Sequence, residues 1–202
     1  MKLNLVIAGV GGQGNIFASE VIAQYAMKKG YNVFGTETIG AAQRGGSVVS
    51  HVRIADGPIY SPLVPQGQAD YLVGFEPMEA LRYINLTKPG ATFLINRSQV
   101  PTISINMGLD RYPEEGEIIK TLSEAASCGY AIDATKAAAQ MGNTIYTNVI
   151  LLGALSKICP QLEPEGILEA ILGRLKPKTH EANRRAFALG QELVSAPEAK
   201  VL

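Results

Sequence analysis

The chain has 202 residues, 47% of them apolar and 18% charged, a composition that supports a packed core and argues against general disorder. Eighteen Lys and Arg stand against eighteen Asp and Glu, so no basic excess exists to neutralise a nucleic-acid backbone. Two cysteines, Cys128 and Cys159, lie far apart without metal-ligand spacing, and an iron–sulfur cluster normally takes four thiolates, so any cluster serving this protein belongs to another chain.

No apolar stretch reaches the roughly 20 residues that span a bilayer. Met1 to Ala8 is a short apolar run behind one Lys, followed by glycines and not by a small-residue cleavage site, and it reads as the first strand of a cytoplasmic protein. Within it, Leu3 to Ala8, apolar but for Asn4, has the pattern of a strand buried on both faces of a parallel sheet. Gly9 to Gly14 breaks the run, and from Asn15 to Lys29 the residues Ile16, Ala18, Val21, Ile22, Tyr25 and Ala26 recur at helical spacing until Gly30. Tyr31 to Thr36 returns to strand, giving a βαβ unit with a glycine-rich first turn, a Rossmann-like opening.

Thr38 to Gly46 is a small-residue loop, and Ser47 to Ile54 alternates like a further strand. Asp56-Gly57-Pro58 marks a turn from which Ile59 to Leu63 is expected to pair back as a hairpin arm. Tyr71 to Phe75 is an apolar strand, Pro77 opens a helix to about Leu86, and Pro89-Gly90 leads into strand Thr92 to Asn96. A short strand is expected at Thr102 to Ile105, then a helix over Glu114 to Ser127, a strand over Tyr130 to Ile132, and a helix from Thr135 to Met141 capped by Asp133. Thr147 to Ile158, Pro164 to Leu172 and Lys178 to Leu193 follow as three helices with no strand between them. The expected fold is α/β, a Rossmann-like three-layer domain with a mostly parallel sheet and extra C-terminal helices, in one unit over residues 1–195 with a tail at 196–202.

Gly9-Val10-Gly11-Gly12-Gln13-Gly14 satisfies G-x-G-x-x-G between a strand and a helix. Glycines let the backbone turn tightly and approach a pyrophosphate, and the helix start offers free N–H groups and positive potential. The alternative is a tight turn with no ligand. In a dinucleotide enzyme an acid near the end of the second strand holds the ribose, and Glu37 is near that place; an exposed strand-end carboxylate is the other reading. No residue presents itself as a hydride-transfer acid, since the histidines are His51 in a strand and His180 in the last helix. A stand-alone nucleotide-dependent dehydrogenase is therefore the second alternative, and a non-catalytic structural subunit the third. Ala42-Gln43-Arg44-Gly45-Gly46-Ser47 lies where open α/β sheets bind ligands, and the fixed fork of Arg44 suits carboxylate or phosphate; a solvated surface charge is the other reading. Asn148 begins a helix it could cap, with ligand contact as the alternative, and Asn183, beside Arg184 and Arg185, falls by default on a solvated face, with a face that meets a partner subunit as the alternative.

Together these stretches resemble the gamma-type subunits or domains of pyruvate, 2-oxoglutarate and indolepyruvate ferredoxin oxidoreductases. The matches, in order over nearly the whole chain, are Gly9-x-Gly11-Gly12-Gln13-Gly14, Gln43-Arg44-Gly45-Gly46-Ser47-Val48, Thr147-Asn148-Val149-Ile150-Leu151-Leu152-Gly153-Ala154, and Glu181-Ala182-Asn183-x-x-Ala186-Phe187-x-x-Gly190. The form from Thr36-Glu37-Thr38 to Gly46 looks like the indolepyruvate-type beta subunit, which leans the substrate toward an aryl pyruvate. The resemblance implies a subunit inactive alone that completes the active site of a large partner carrying thiamine diphosphate, magnesium and iron–sulfur clusters. It also implies oxidative decarboxylation of a 2-oxoacid to an acyl-CoA, with electrons passing to ferredoxin. On this view Gly9, Gly11, Gly12, Gln13, Gly14, Gln43, Arg44, Gly45 and Gly46 face coenzyme A, Arg44 clamps its anionic groups, this chain holds no metal, and by itself it can form a homodimer through its partner-facing surface.

Overall fold

A computed structural model describes residues 1–40, 46–101, 103–109 and 111–201. In chain order the elements are β1 (Lys2–Val10), α1 (Asn15–Lys28), β2 (Asn32–Ile39), β3 (Ser47–Ala55), β4 (Ala69–Gly74), α2 (Pro77–Arg82), β5 (Thr87–Asn96), α3 (Ile103–Asn106), α4 (Glu115–Ala125), β6 (Ala126–Ile132), α5 (Ala134–Gln140), α6 (Thr147–Ile158), α7 (Pro164–Gly173) and α8 (His180–Ser195). The strands form one sheet in the order β2-β3-β1-β4-β5-β6. The pairs β1–β4, β4–β5 and β5–β6 are parallel, and β3 alone runs against its neighbours β1 and β2. The sheet is thus mostly parallel, as the strand–helix alternation predicts.

The run Leu3 to Ala8 of β1 is buried on both sides because helices cover both faces, and its one polar residue, Asn4, donates from Nδ2 to the Gln68 carbonyl and accepts at Oδ1 from Arg53. Leu3, Leu5 and Ile7 join the core beneath α1, α6, α7 and α8, while Val6 and Ala8 join the core beneath α2 and α4. Three layers result, with the C-terminal helices thickening one of them. The βαβ opening carries one difference from a Rossmann unit: β2 does not lie beside β1, because β3 returns antiparallel and takes that place.

Several short expectations differ from the structure: β6 begins at Ala126, so Ala126 and Ser127 are strand and not helix, and the Asp133 side chain makes no cap bond to α5. Ile59 to Leu63 forms no strand; Pro58, Pro62 and Pro65 lack ladder donors, and the carbonyls of Ser61 and Leu63 accept instead from the Arg53 guanidinium. Ile103–Asn106 is a helical turn and not part of a strand, the alternation there being too short to separate the two; Thr102 lies outside the described residues. The chain end runs along β6, where the Val201 N–H donates to Gly129 and Lys200 pairs with Tyr130.

Candidate ligand cleft at the carboxyl edge of the sheet

The carboxyl ends of β1, β4 and β5 meet around the turn at residues 9–14. Its glycines serve different ends. A Cβ on Gly9 would come within 3 Å of the Gln13 and Asn15 side chains and the Phe75 Cβ, so Gly9 lets β1 pack against the start of α1. Gly12 and Gly14 have φ of 97° and 91°, and a Cβ on Gly14 would also lie 2.5 Å from the Asn148 amide. Gly11 has neither need: the nearest described atom to an added Cβ is the Gly46 oxygen at 3.9 Å. Among the described residues nothing within 3.9 Å requires glycine at position 11.

The Gly11 N–H donates to the Gly46 carbonyl at 2.9 Å, and the Gly40 N–H donates to Ser47 at 2.8 Å. Both described ends of the arginine loop therefore stand at the glycine turn. Gln43, Arg44 and Gly45 lie outside the described residues, and so does Ala42. Gln13, expected to face a ligand, commits its amide to the fold: its Oε1 accepts from Val10 and its Nε2 donates to the Phe75 carbonyl. It staples the turn to the end of β4.

The N-cap of α1 is Gly14, whose lack of a side chain leaves the helix start without a side-chain cap. Open N–H groups and the helix dipole there suit an anion. A cleft of about 410 Å³ opens beside this point, lined by Gly12, Gln13, Gly14, Ser98, Thr135 and Thr147 among others. A second cleft, of about 310 Å³, lies on the other side of the turn between Ile16, Ile39 and Val48. Gly12 and Gly14 border both.

Asn148 is not the cap of α6, which begins one residue before it; its side chain packs on Gly14 and borders the first cleft. Asn183 departs from the solvated face expected for it. It is 5% exposed, donates from Nδ2 to the Thr179 carbonyl, and borders an apolar groove of about 260 Å³ with Phe17, Tyr146 and Leu175. The signal was available in the sequence: Asn183, Ala186, Phe187 and Gly190 fall on one helical stripe, all buried. Asn96 was not singled out by the sequence at all. Fully buried at the end of β5, it donates to the Phe75 carbonyl and to Thr135 Oγ1 and accepts from the Thr135 N–H, joining two cleft-forming elements.

Glu37 sits on β2, two strands from β1, and its Oε1 accepts from Ser19 Oγ in α1. With adjacent strands about 4.8 Å apart, β3 sets this carboxylate one strand farther from the glycine turn than a ribose-binding acid requires. His51 is buried with its Nδ1 accepting from the Val64 N–H, and a ring nitrogen of His180 bonds the Leu175 carbonyl. Burial pushes the Cys159 thiol up to about 11. Among the described residues no group of His, Cys, Asp and Glu is arranged to hold a metal ion, and no helix is long and apolar enough to cross a membrane.

The fold and cleft define a Rossmann-like subunit with an anion-ready turn at the carboxyl edge of its sheet. The chain belongs to the pyruvate ferredoxin/flavodoxin oxidoreductase family, whose model matches residues 4–193. It is 42% identical over 191 residues to the indolepyruvate oxidoreductase subunit IorB of Thermococcus kodakarensis, covering 94% of each chain. It is 30% identical over 196 residues to the 2-oxoglutarate synthase subunit KorC of Methanothermobacter marburgensis, covering 96% of this chain and 97% of that one. The gamma subunit of a keto/oxoacid ferredoxin oxidoreductase from Geobacter sulfurreducens superposes with a TM-score of 0.73 at 26% identity, covering 99% of both chains. A 2-oxoglutarate:ferredoxin oxidoreductase from Magnetococcus marinus, solved with 2-oxoglutarate, coenzyme A and succinyl-CoA, shares the fold at a TM-score of 0.72 and 24% identity; this chain covers 32% of it. The chain is thus a small subunit of the 2-oxoacid:ferredoxin oxidoreductase type.

Proposed function

We propose that this chain is the small subunit of an aryl-pyruvate ferredoxin oxidoreductase, that it receives the phosphates of coenzyme A at its glycine turn, and that it is inactive without its large partner. The observation that carries the reading is the Gly11–Gly46 hydrogen bond beside the uncapped start of α1. It sets the base of the arginine loop next to open N–H donors, and Gly46 is two residues from Arg44. Gly11 lets a pyrophosphate approach the backbone, the α1 N–H groups take its oxygens, and Arg44 adds a fixed guanidinium fork. Thiamine diphosphate with magnesium and iron–sulfur clusters, held by the partner, supply the decarboxylation and electron transfer to ferredoxin in the cytoplasm.

Two cysteines without metal-ligand spacing, against the four thiolates a cluster normally takes, support assigning the clusters to the partner. The 42% identity to an indolepyruvate oxidoreductase subunit, against 30% to a 2-oxoglutarate synthase subunit, supports an aryl pyruvate as substrate. A self-sufficient dehydrogenase fits poorly, because Glu37 is engaged by Ser19 and both histidines are bonded within the fold.

Co-expression with the large subunit tests the reading. The complex should reduce a viologen dye when given an aryl pyruvate and coenzyme A, and the purified small subunit should not. Arg44→Ala should raise the KM for coenzyme A about tenfold or more. Micromolar NAD(P)H binding to the isolated chain would overturn the proposal in favour of a dehydrogenase, and unchanged turnover in both Arg44→Ala and Gly11→Ala would leave only a structural role.

A further inference from the structure

We propose that Glu76 is a positioning residue that fixes the cleft wall facing the glycine turn, governing the grip on coenzyme A without touching it; this rests on the reading that the glycine turn, which borders that cleft through Gly12 and Gly14, receives coenzyme A. Glu76 directly follows Phe75 at the end of β4 and is 1% exposed. A buried carboxylate is costly unless donors surround it. Its Oε2 accepts the Glu79 N–H at 3.0 Å, capping α2, a task that a shorter Asp or Ser could perform. Its Oε1 does something a cap does not require: it accepts both the Val100 N–H at 3.1 Å and the Tyr112 hydroxyl at 2.5 Å.

Val100 and Tyr112 stand on the outgoing and returning limbs of the excursion between β5 and α4. That excursion is closed at its base by the Arg97–Glu115 ion pair at 2.8 Å, and the Arg97 N–H, donating to the Ile132 carbonyl, ties its start to the end of β6. It contributes Ser98 and Val100 to the wall of the 410 Å³ cleft, with Gly12, Gln13 and Gly14 also lining it. One residue earlier, the Phe75 carbonyl accepts from Gln13 Nε2 and from Asn96 Nδ2. The glycine turn is thus tied to the Phe75 carbonyl and the Ser98–Val100 wall to the Glu76 carboxylate, on consecutive residues. The width of the cleft is set at this corner, and a small loosening there costs ligand grip and not fold.

The test uses the complex with the large subunit, coenzyme A as the varied substrate, and Tyr112→Phe and Glu76→Gln as variants. Tyr112→Phe removes one hydroxyl and keeps the ring. Each should raise the KM for coenzyme A about fivefold while kcat and the KM for the 2-oxoacid stay within about twofold. Tyr112→Leu should do no better than Tyr112→Phe, and Glu76→Asp, too short to reach both limbs, should not restore the wild-type KM. A lowered melting temperature with an unchanged coenzyme A KM in Tyr112→Phe overturns the proposal, as does a loss confined to kcat. Gly11→Ala separates this failure from that of the parent reading. If Gly11→Ala raises the coenzyme A KM and the Glu76 and Tyr112 variants do not, the positioning role alone falls. If none of the three moves it, both fall; if only the Glu76 and Tyr112 variants raise it, the wall is upheld and the glycine turn is not the contact.

Discussion

A Cβ placed on Gly190 of α8 would stand 1.9 Å from the carbonyl oxygen of Ile150 in α6, and one placed on Gly153 of α6 would stand 2.1 Å from the carbonyl oxygen of Phe187 in α8. The two helices therefore cross backbone to backbone. The two late sequence stretches that carry the family resemblance are the two sides of this contact, which suspends the start of α6, with Asn148, over the glycine turn.

Gly190→Ala and Gly153→Ala should each destabilise the protein by about 3 kcal/mol or more, because the clash is with backbone and the helices must separate along the crossing. Denaturant unfolding of the isolated chain measures this directly. A loss below about 0.5 kcal/mol in both would mean that the helices slide apart freely and that the contact does not hold α6 in place.

Three of the four glycines of the first turn, Gly9, Gly11 and Gly14, should separate by phenotype. Gly9→Ala and Gly14→Ala meet described atoms at 2.7 Å and 2.5 Å, and Gly14 also has positive φ, so both should lose stability, by about 1–3 kcal/mol. Gly11→Ala meets nothing closer than 3.9 Å among the described residues and should unfold within about 0.5 kcal/mol of wild type. In the assembled enzyme it should nonetheless weaken coenzyme A. Stability and KM measured on the same three variants give the contrast.

What the sequence made legible was local. A run from Leu3 to Ala8 that is apolar but for Asn4, glycines at fixed offsets and a helical stripe are short-range signals, and β1, the turn and α1 follow them closely. The insertion of β3 between β1 and β2 was not legible, because an antiparallel return is decided by pairing across the sheet and not by any pattern within Ser47 to Ile54. That one exchange of neighbours is what removes Glu37 from a ribose-binding role. Gln13 was read by its place in the glycine turn, yet a side chain with both a donor and an acceptor was needed to bridge Val10 and Phe75. Glu76 gave no sequence sign beyond preceding Pro77, since its partners Val100 and Tyr112 lie 24 and 36 residues away.

His51 sets an acid limit on stability. Burial holds its imidazole below the ordinary histidine value of 6.5, and its Nδ1 must stay unprotonated to accept the Val64 N–H. The unfolded chain therefore binds a proton near pH 6.5 that the folded chain refuses. Stability conferred by the neutral ring is fully present above that pH and falls as the pH drops below it. His51→Gln, which can still offer an acceptor, should flatten the stability profile between about pH 7 and 5 while costing some stability at pH 8. Identical slopes for the variant and wild type would assign the acid sensitivity elsewhere.

The two thiols should report on different events. Cys159 is fully buried, its sulfur donates to Gln161 Oε1, and its thiol is pushed up to about 11, chiefly by desolvation. At pH 8 only about one thiol in a thousand would be ionised even if reagent could reach it. Cys128 is half-buried on β6, with no comparable enclosure. With a chromogenic disulfide reagent the native chain should therefore lose Cys128 first, while Cys159 reacts only at the rate of unfolding and accelerates with denaturant. Comparison of Cys128→Ser with Cys159→Ser assigns each phase. Fast, denaturant-independent labelling of Cys159 would mean that the packing of Cys159 beside α7 opens far more readily than its burial implies, and the stability losses argued for the α6–α8 crossing would then need to be measured against a looser helical layer.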